Sequence, residues 1–114
     1  MAIHHAASGE LIDIRPLRAG LASATTRALY KSDTMEVFRA ILLAGKSMPE
    51  HRVKGEITVQ CLEGSIEFRD GADVRVMREG ELLCLAGGRP HALRAIEDAS
   101  VLVTILLHPS QSKA

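Results

Sequence analysis

The chain has 114 residues, of which 46% are hydrophobic and 25% are charged, a composition typical of a globular protein rather than a disordered one. Its fourteen basic and fourteen acidic side chains cancel, which argues against a nucleic-acid surface because such a surface carries a basic excess. No stretch approaches the roughly 18 apolar residues of a membrane span, and the first residues lack the pattern of a secretory signal. We therefore expect a cytoplasmic protein with no membrane or nucleic-acid partner.

The first 43 residues predict three strands and a turn or short helix. Residues 10–14 alternate apolar and polar side chains, which predicts a strand. Residues 16–32 are rich in Ala and Leu, but Gly20 and two threonines weaken a long helix there, so we predict a turn or short helix followed by a strand near Arg27–Lys31. Residues 35–43 carry strand-forming side chains and predict the next strand.

The rest of the chain predicts short strands separated by glycine-containing turns, such as the one at Asp70-Gly71. The predicted strands are residues 56–64, 65–71, 73–77, 81–85, 91–96 and 100–107. Strands of this length and spacing indicate an all-β sandwich or barrel with eight strands or more. The chain predicts a single domain over residues 1–114, with loose ends at 1–8 and 109–114.

Two segments carry glycines and a histidine at characteristic offsets. In the first, five residues separate Gly45 from His51, and Gly64 closes the segment; in the second, Gly80, Gly88 and His91 hold the corresponding positions. The chain thereby resembles the small RmlC-like cupins, and the resemblance covers about residues 35–107. It implies a small jelly-roll β-barrel.

The sequence also departs from the cupin pattern. Its four family ligands would be three histidines and a glutamate, but the second histidine position falls on Val53 and the glutamate position on Ile57. Glu56 is adjacent, but a shift of one residue along a strand turns the side chain to the opposite face. The resemblance therefore implies a degenerate metal site that keeps only His51 and His91.

Two interpretations of these histidines remain open. They could hold a divalent transition metal weakly, with water or a ligand oxygen completing the coordination. Alternatively, they line a cavity without metal, because Ile57 places hydrocarbon where a carboxylate would neutralise the ion.

Apolar residues surround the predicted site. On the strand after His51, Ile57, Val59 and Cys61 share one face, and with Val53 they predict a mostly apolar pocket. We expect Cys61 and Cys84 to be free, buried thiols, because they lack a CxxC pattern and a sign of export.

The first functional hypothesis is a stand-alone cupin that binds a small, mostly apolar molecule in its barrel through His51 and His91. The second is an enzyme, either a metal-dependent dioxygenase-like cupin or a metal-free isomerase-like one in which a histidine is the general base. The third is a structural role without a usable cavity. Strands 35–43 and 100–107 are apolar on both faces, which predicts an outer face that needs cover and, by the resemblance, a homodimer.

Overall fold

A computed structural model of the chain describes residues 5–107, which form antiparallel strands and one 3₁₀ helix, Arg18–Ser23. The strands within these residues are β1 Arg27–Lys31, β2 Met35–Leu42, β3 Ser47–His51, β4 Ile57–Glu63, β5 Ser65–Asp70, β6 Asp73–Arg78, β7 Leu82–Leu85, β8 His91–Ala95 and β9 Ala99–Leu106. The predictions of an all-β chain and of a short N-terminal helix are confirmed. The predicted loose ends fall largely on residues 1–4 and 109–114, which lie outside the described residues.

The strands form two sheets that enclose one apolar core. Sheet A has the order β1-β2-β9-β4-β7, and sheet B has the order β3-β8-β5-β6. Alternation along each strand directs one set of side chains between the sheets. The predicted jelly-roll barrel is therefore confirmed. Its buried core consists of Ala40, Leu42, Ile57, Val59, Cys61, Ile66, Phe68, Met77, Leu85, Leu93, Ala95, Ala99, Val101 and Val103.

Strand β3, Ser47–His51, is absent from the sequence prediction, which assigned no strand between residues 43 and 56. The segment contains Pro49, which has no N–H to donate to a ladder. It nevertheless forms a strand because β3 lies at the edge of sheet B, where one row of backbone groups has no neighbouring strand.

The strand predicted at residues 10–14 is wrong. This segment has no regular secondary structure. The carbonyl oxygen of Ile14, and that of Arg15 after it, accept hydrogen bonds from the Arg39 guanidinium at 2.6 and 2.7 Å. The Arg39 side chain on sheet A thus binds the last carbonyl of the predicted strand, so that this carbonyl does not join a sheet ladder.

The N-terminal segment is tied to the outer face of sheet A by buried polar groups. The Glu63 carboxylate, at the end of β4, accepts hydrogen bonds from the backbone N–H groups of Leu17 and Arg18 at 2.7 and 3.0 Å and from the Ser100 hydroxyl at 3.1 Å. Burial alone would raise the pKa of Glu63, but these three donors and the charge of Arg39 outweigh it and lower the pKa. We call these four residues and Glu63 the glutamate cluster.

Among residues 5–107, no helix has the length and apolar character needed to cross a bilayer.

Candidate functional site at the paired histidines

An irregular register in sheet B brings His51 beside His91. Met48 pairs with Leu93, so a regular ladder would set Glu50 opposite His91. The register shifts between Met48 and His51, and His51 becomes the partner of His91. Bulges of this kind redirect side chains and occur often beside functional sites.

The two imidazole rings lie close together, and each uses its Nδ1 atom for a hydrogen bond to the backbone. Their centroids are 4.4 Å apart and their planes are inclined by 58°. The Nδ1 atom of His51 lies 3.1 Å from the Pro49 carbonyl oxygen, and the Nδ1 atom of His91 lies 3.2 Å from the Arg89 carbonyl oxygen. A carbonyl oxygen only accepts, so each Nδ1 carries the proton and donates it. Each Nε2 therefore keeps a lone pair for a ligand, a metal or a proton.

The two histidines differ in burial. His91 is 4% exposed and its ring stacks parallel to that of Phe68, with centroids 5.9 Å apart, whereas His51 is exposed. Burial is the main cause that lowers the pKa of His91, and proximity to His51 lowers it further, against the opposing hydrogen bond to Arg89 and the charge of Asp70. The lowered pKa favours the neutral form of His91, which is the form with a lone pair on Nε2.

Five of the six residues assigned to the pocket from the sequence lie around one small cavity, which we call the histidine cavity. Its lining consists of Phe38, Met48, His51, Val53, Ile57, Val59, His91, Leu93, Val103 and Ile105. Its volume is about 20 Å³, roughly the space of a single water molecule. The barrel interior is therefore nearly filled by its own side chains.

Cys61 is the sixth predicted pocket residue, and it does not line the cavity. It shares the inward face of β4 with Ile57 and Val59 but lies farther along the strand, where its thiol contacts the carbonyl oxygens of Glu63 and Gly64 at 3.5 Å. Burial raises the pKa of this thiol to about 11, which makes it unreactive at neutral pH. Both cysteines are free, but Cys84 is exposed, contrary to the prediction that it is buried.

The described residues do not supply a complete metal site. Ile57 is buried at the position of the family carboxylate, whereas Glu56 is exposed. Asp70 is the partner of His91 on β5, but its carboxylate is bound by the Arg89 guanidinium at 2.6 and 2.9 Å. No group of three or more His, Cys, Asp or Glu side chains within residues 5–107 is placed to hold an ion. Two imidazoles beside hydrocarbon fall short of the three protein ligands common in catalytic zinc sites.

A larger depression, the mouth cleft, adjoins the histidine cavity and has a volume of about 680 Å³. It shares Val53 and Ile105 with the cavity, so these two side chains separate the two spaces. Its lining consists of Lys31, Ser32, Asp33, Glu36, Arg52, Val53, Lys54, Gly55, Ile105, Leu106 and Leu107. Three cations and two carboxylates among these residues give the cleft a formal charge of +1.

Two glycines hold the loops around the site together. At Gly87, an added Cβ would collide with the carbonyl oxygen of Lys54, so only glycine permits this approach of the two loops. The next residue, Gly88, donates its N–H to the Val53 carbonyl oxygen at 2.8 Å. The β7–β8 loop, which leads to His91, thus fixes the position of Val53.

The sequence alone did not identify the cavity-lining residues that lie on other strands. Phe38, Leu93, Val103 and Ile105 line the cavity, but in the sequence they read only as strand residues. The partners of Phe38, Val103 and Ile105 are set by the pairing of β2, β9 and β4, and those of Leu93 by the pairing of β8 with β3 and β5, which no local pattern encodes. The structure shows that Val103 and Ile105 lie opposite Val59 and Ile57, and that their side chains point inward from the same face of the sheet.

The sequence matches no protein-family model and no curated protein, whereas solved structures match the fold over most of the chain. A conserved protein of unknown function from Streptococcus pyogenes is 20% identical, with a TM-score of 0.74 over 95% of this chain and 98% of that one. A cupin superfamily protein from Desulfitobacterium hafniense is 21% identical, with a TM-score of 0.72 over 86% and 95%. An RmlC-like cupin from Desulfovibrio desulfuricans is 26% identical, with a TM-score of 0.67 over 93% and 96%. This chain therefore has the fold of the RmlC-like cupins.

Proposed function

We propose that the protein binds a small molecule with an apolar body and one polar group, without a tightly bound metal. The polar group, a carbonyl or an acid, meets the Nε2 atoms of His51 and His91. The observation that carries this proposal is the pair of imidazoles whose Nδ1 atoms are both committed to backbone carbonyls beside an apolar cavity. Apolar walls with few convergent polar groups are the usual form of a ligand site.

We propose that most of the ligand lies in the mouth cleft, and the volumes of the two spaces support this. The histidine cavity holds about 20 Å³, whereas the cleft, at about 680 Å³, falls in the range of roughly 300–1,000 Å³ for ligand pockets. Val53 and Ile105 lie between the two spaces, and Met48 is an unbranched, adaptable wall residue. A movement of these side chains joins the cleft to the histidines, so that the ligand body fills the cleft and its polar end reaches inward.

A binding screen tests this proposal. Short-chain acids, aldehydes and ketones are added separately, and the melting temperature and the imidazole Cε1–H NMR signals are recorded. We expect a binding compound to raise the melting temperature and to shift the signals of both histidines. His51→Gln and His91→Gln should weaken its binding at least about tenfold, whereas His5→Gln, at an exposed histidine outside the site, should leave it unchanged. A compound that binds equally to all three variants would contradict the proposal.

Elemental analysis of untagged protein tests the metal-free part of the proposal. We expect less than about a tenth of a metal ion per chain, with no gain after incubation with iron, zinc, copper or nickel. About one ion per chain, lost in both His51→Ala and His91→Ala, would overturn it and favour a metal-dependent enzyme.

A metal-free proton-transfer enzyme is the second candidate. The lone pairs on both Nε2 atoms, and a His91 whose neutral form is favoured by its burial, favour it because a general base must be unprotonated. Exchange of a ligand C–H for solvent deuterium separates the two functions. Exchange that His91→Gln abolishes would favour the enzyme, and a bound ligand that never exchanges would favour the binding protein.

We also propose that the protein is a homodimer through the outer face of sheet A. On the part of this face away from the N-terminal segment, Leu82, Gln60 and Leu102 lie in one row, which continues to Arg39 and Arg27, and Cys84, Thr58 and Thr104 lie in the next. Leu82 is 61% exposed. Light scattering at micromolar concentration should give twice the chain mass, and Leu82→Glu should reduce it to the single mass. A single mass for the wild type would contradict the dimer.

A further inference from the structure

A second depression lies outside the barrel, between the N-terminal segment and the outer face of sheet A. It has a volume of about 670 Å³, and we call it the arginine cleft. Its lining consists of Asp13, Arg15, Pro16, Leu17, Ser23, Ala24, Thr25, Arg27, Leu29, Arg39 and Ile41. None of these residues lines the histidine cavity or the mouth cleft.

Two arginines lie directly opposite each other in this cleft. Arg27 on β1 is the register partner of Arg39 on β2, so the two side chains leave the same face of the sheet. Like charges in directly opposed positions destabilise a sheet. Burial is the main cause that lowers the pKa of Arg39; the charges of Glu63 and Asp13 oppose it, and the charge of Arg27 adds a smaller lowering effect. Within residues 5–107, neither arginine forms an ion pair with a carboxylate.

Arg39 is a buried cation with hydrogen-bonding capacity to spare. It is 8% exposed, and one terminal nitrogen donates to the carbonyls of Ile14 and Arg15. Its Nε atom has no hydrogen-bond partner. A buried donor without a partner costs free energy, so this arrangement reduces stability unless an anion completes it.

The acidic groups nearby are already engaged. Asp13 is bound by Arg15 through hydrogen bonds of 3.0 and 2.8 Å on the exposed rim, and Glu63 is bound by Leu17, Arg18 and Ser100. Three arginines and one aspartate on the lining give the cleft a formal charge of +2. Its lining also includes apolar side chains, among them Leu29, which is buried, and Ile41, which is half-buried.

We propose that the arginine cleft binds a small organic carboxylate, whose carboxylate group lies between Arg27 and Arg39 and whose apolar body lies against Leu29 and Ile41. Guanidinium groups pair with carboxylates through two parallel hydrogen bonds. The bound anion relieves the repulsion between the two opposed cations. This site is separate from the histidine site and goes beyond the proposed function.

The test is a titration of ¹⁵N-labelled protein with hexanoate, followed by amide chemical shifts at constant ionic strength. We expect saturable shifts at Arg27, Leu29 and Ile41 with a dissociation constant of roughly 1 mM. Arg27→Gln, at an exposed position, should raise that constant at least about tenfold, whereas Arg75→Gln, which removes the same charge from β6, should leave it unchanged.

A second measurement distinguishes binding from a structural role. Without hexanoate, Arg27→Gln should melt at the same temperature as the wild type or higher, because the substitution removes the repulsion on Arg39. A lower melting temperature would contradict the proposal, and so would shifts that remain unsaturated or that do not depend on Arg27. Tighter binding of inorganic phosphate than of hexanoate would overturn the carboxylate class. Shifts confined to His51 and His91 would place hexanoate at the histidine site and also overturn it.

Discussion

The histidine pair and the glutamate cluster are both polar groups within an apolar fold, but they differ in how much of their hydrogen bonding is used. In the glutamate cluster, the Glu63 carboxylate accepts from two backbone N–H groups and one hydroxyl. At the histidine pair, each ring uses only Nδ1, and each Nε2 lone pair remains available. The first arrangement fastens the N-terminal segment to sheet A, and the second leaves bonding capacity facing a cavity.

This difference separates a structural role from a binding role without reference to any related protein. Buried polar groups that are fully satisfied stabilise one arrangement of the chain. Buried polar groups that keep unused donors or acceptors cost free energy in the folded protein, and their retention suggests a partner outside the chain. Arg39 meets this criterion most fully, because its Nε atom is buried without a partner, whereas His51 is exposed and its Nε2 lone pair can meet water.

The largest expected effect concerns the glutamate cluster. Glu63→Ala leaves the N–H groups of Leu17 and Arg18 and the Ser100 hydroxyl without their acceptor, and it removes the negative charge near Arg39. We expect a loss of about 3 kcal/mol in the free energy of unfolding, measured in urea.

Glu67→Ala is the matched control for this prediction. Its carboxylate is partly exposed and lies 3.9 Å from Arg94, so the change should stay within about 0.5 kcal/mol. A loss below about 1 kcal/mol for Glu63→Ala would show that the cluster is not what fastens the N-terminal segment.

The next effect concerns the missing metal ligand. Val53→His adds a third imidazole to the two that line the cavity, which is the ligand count of a catalytic zinc site. We expect the variant to bind about one zinc ion per chain, roughly 100-fold more tightly than the wild type, as measured by calorimetry.

Two controls accompany this variant. Val76→His places a histidine at a 42% exposed position on sheet B and should gain no comparable affinity. The double variant Val53→His, His91→Gln should lose the gained affinity. If the wild type binds zinc as tightly as Val53→His does, His51 and His91 already form a metal site.

A third effect is the pH dependence of stability. Glu63 has a pKa below its ordinary value of 4.5 in the folded chain, so between these two values the unfolded chain binds a proton that the folded chain does not. Its contribution is fully present above pH 4.5 and is lost as the pH falls through the folded pKa. The slope for one proton is at most about 1.4 kcal/mol per pH unit.

Urea unfolding from neutral to acidic pH measures this slope. Glu63→Gln should reduce the slope of the unfolding free energy below pH 4.5 by the contribution of one proton, whereas Glu67→Gln should leave that contribution unchanged. An unchanged profile in Glu63→Gln would show that Glu63 has the same pKa in the folded and unfolded chains.

The parts of the fold that the sequence could predict are those that depend on local chemistry. The alternation in residues 56–64 and 100–107 and the Asp70-Gly71 turn predicted β4, β9 and the β5–β6 hairpin because each rests on local chemistry. Strand β3 was missed because Pro49 suits an edge position that only the sheet order reveals.

Long-range contacts account for the remaining differences. Residues 10–14 alternate as a strand does, but the Arg39 guanidinium takes the Ile14 carbonyl. At the site, the offsets from Gly45 and Gly80 pointed to His51 and His91, and the structure places the two rings 4.4 Å apart. The size of the cavity was not predictable, since it depends on how closely side chains from several strands fill the barrel.

The smallest expected effect is a difference in stability between variants of the two histidines. His91→Gln removes a buried ring that stacks on Phe68 and donates to the Arg89 carbonyl, so we expect a loss of about 1–2 kcal/mol in the free energy of unfolding. His51→Gln, at an exposed position, should change it by less than about 0.5 kcal/mol. Urea unfolding of both variants checks the values. An equal loss in the two variants would mean that the rings stabilise the fold as a unit, and the unused Nε2 atoms would then no longer indicate a ligand.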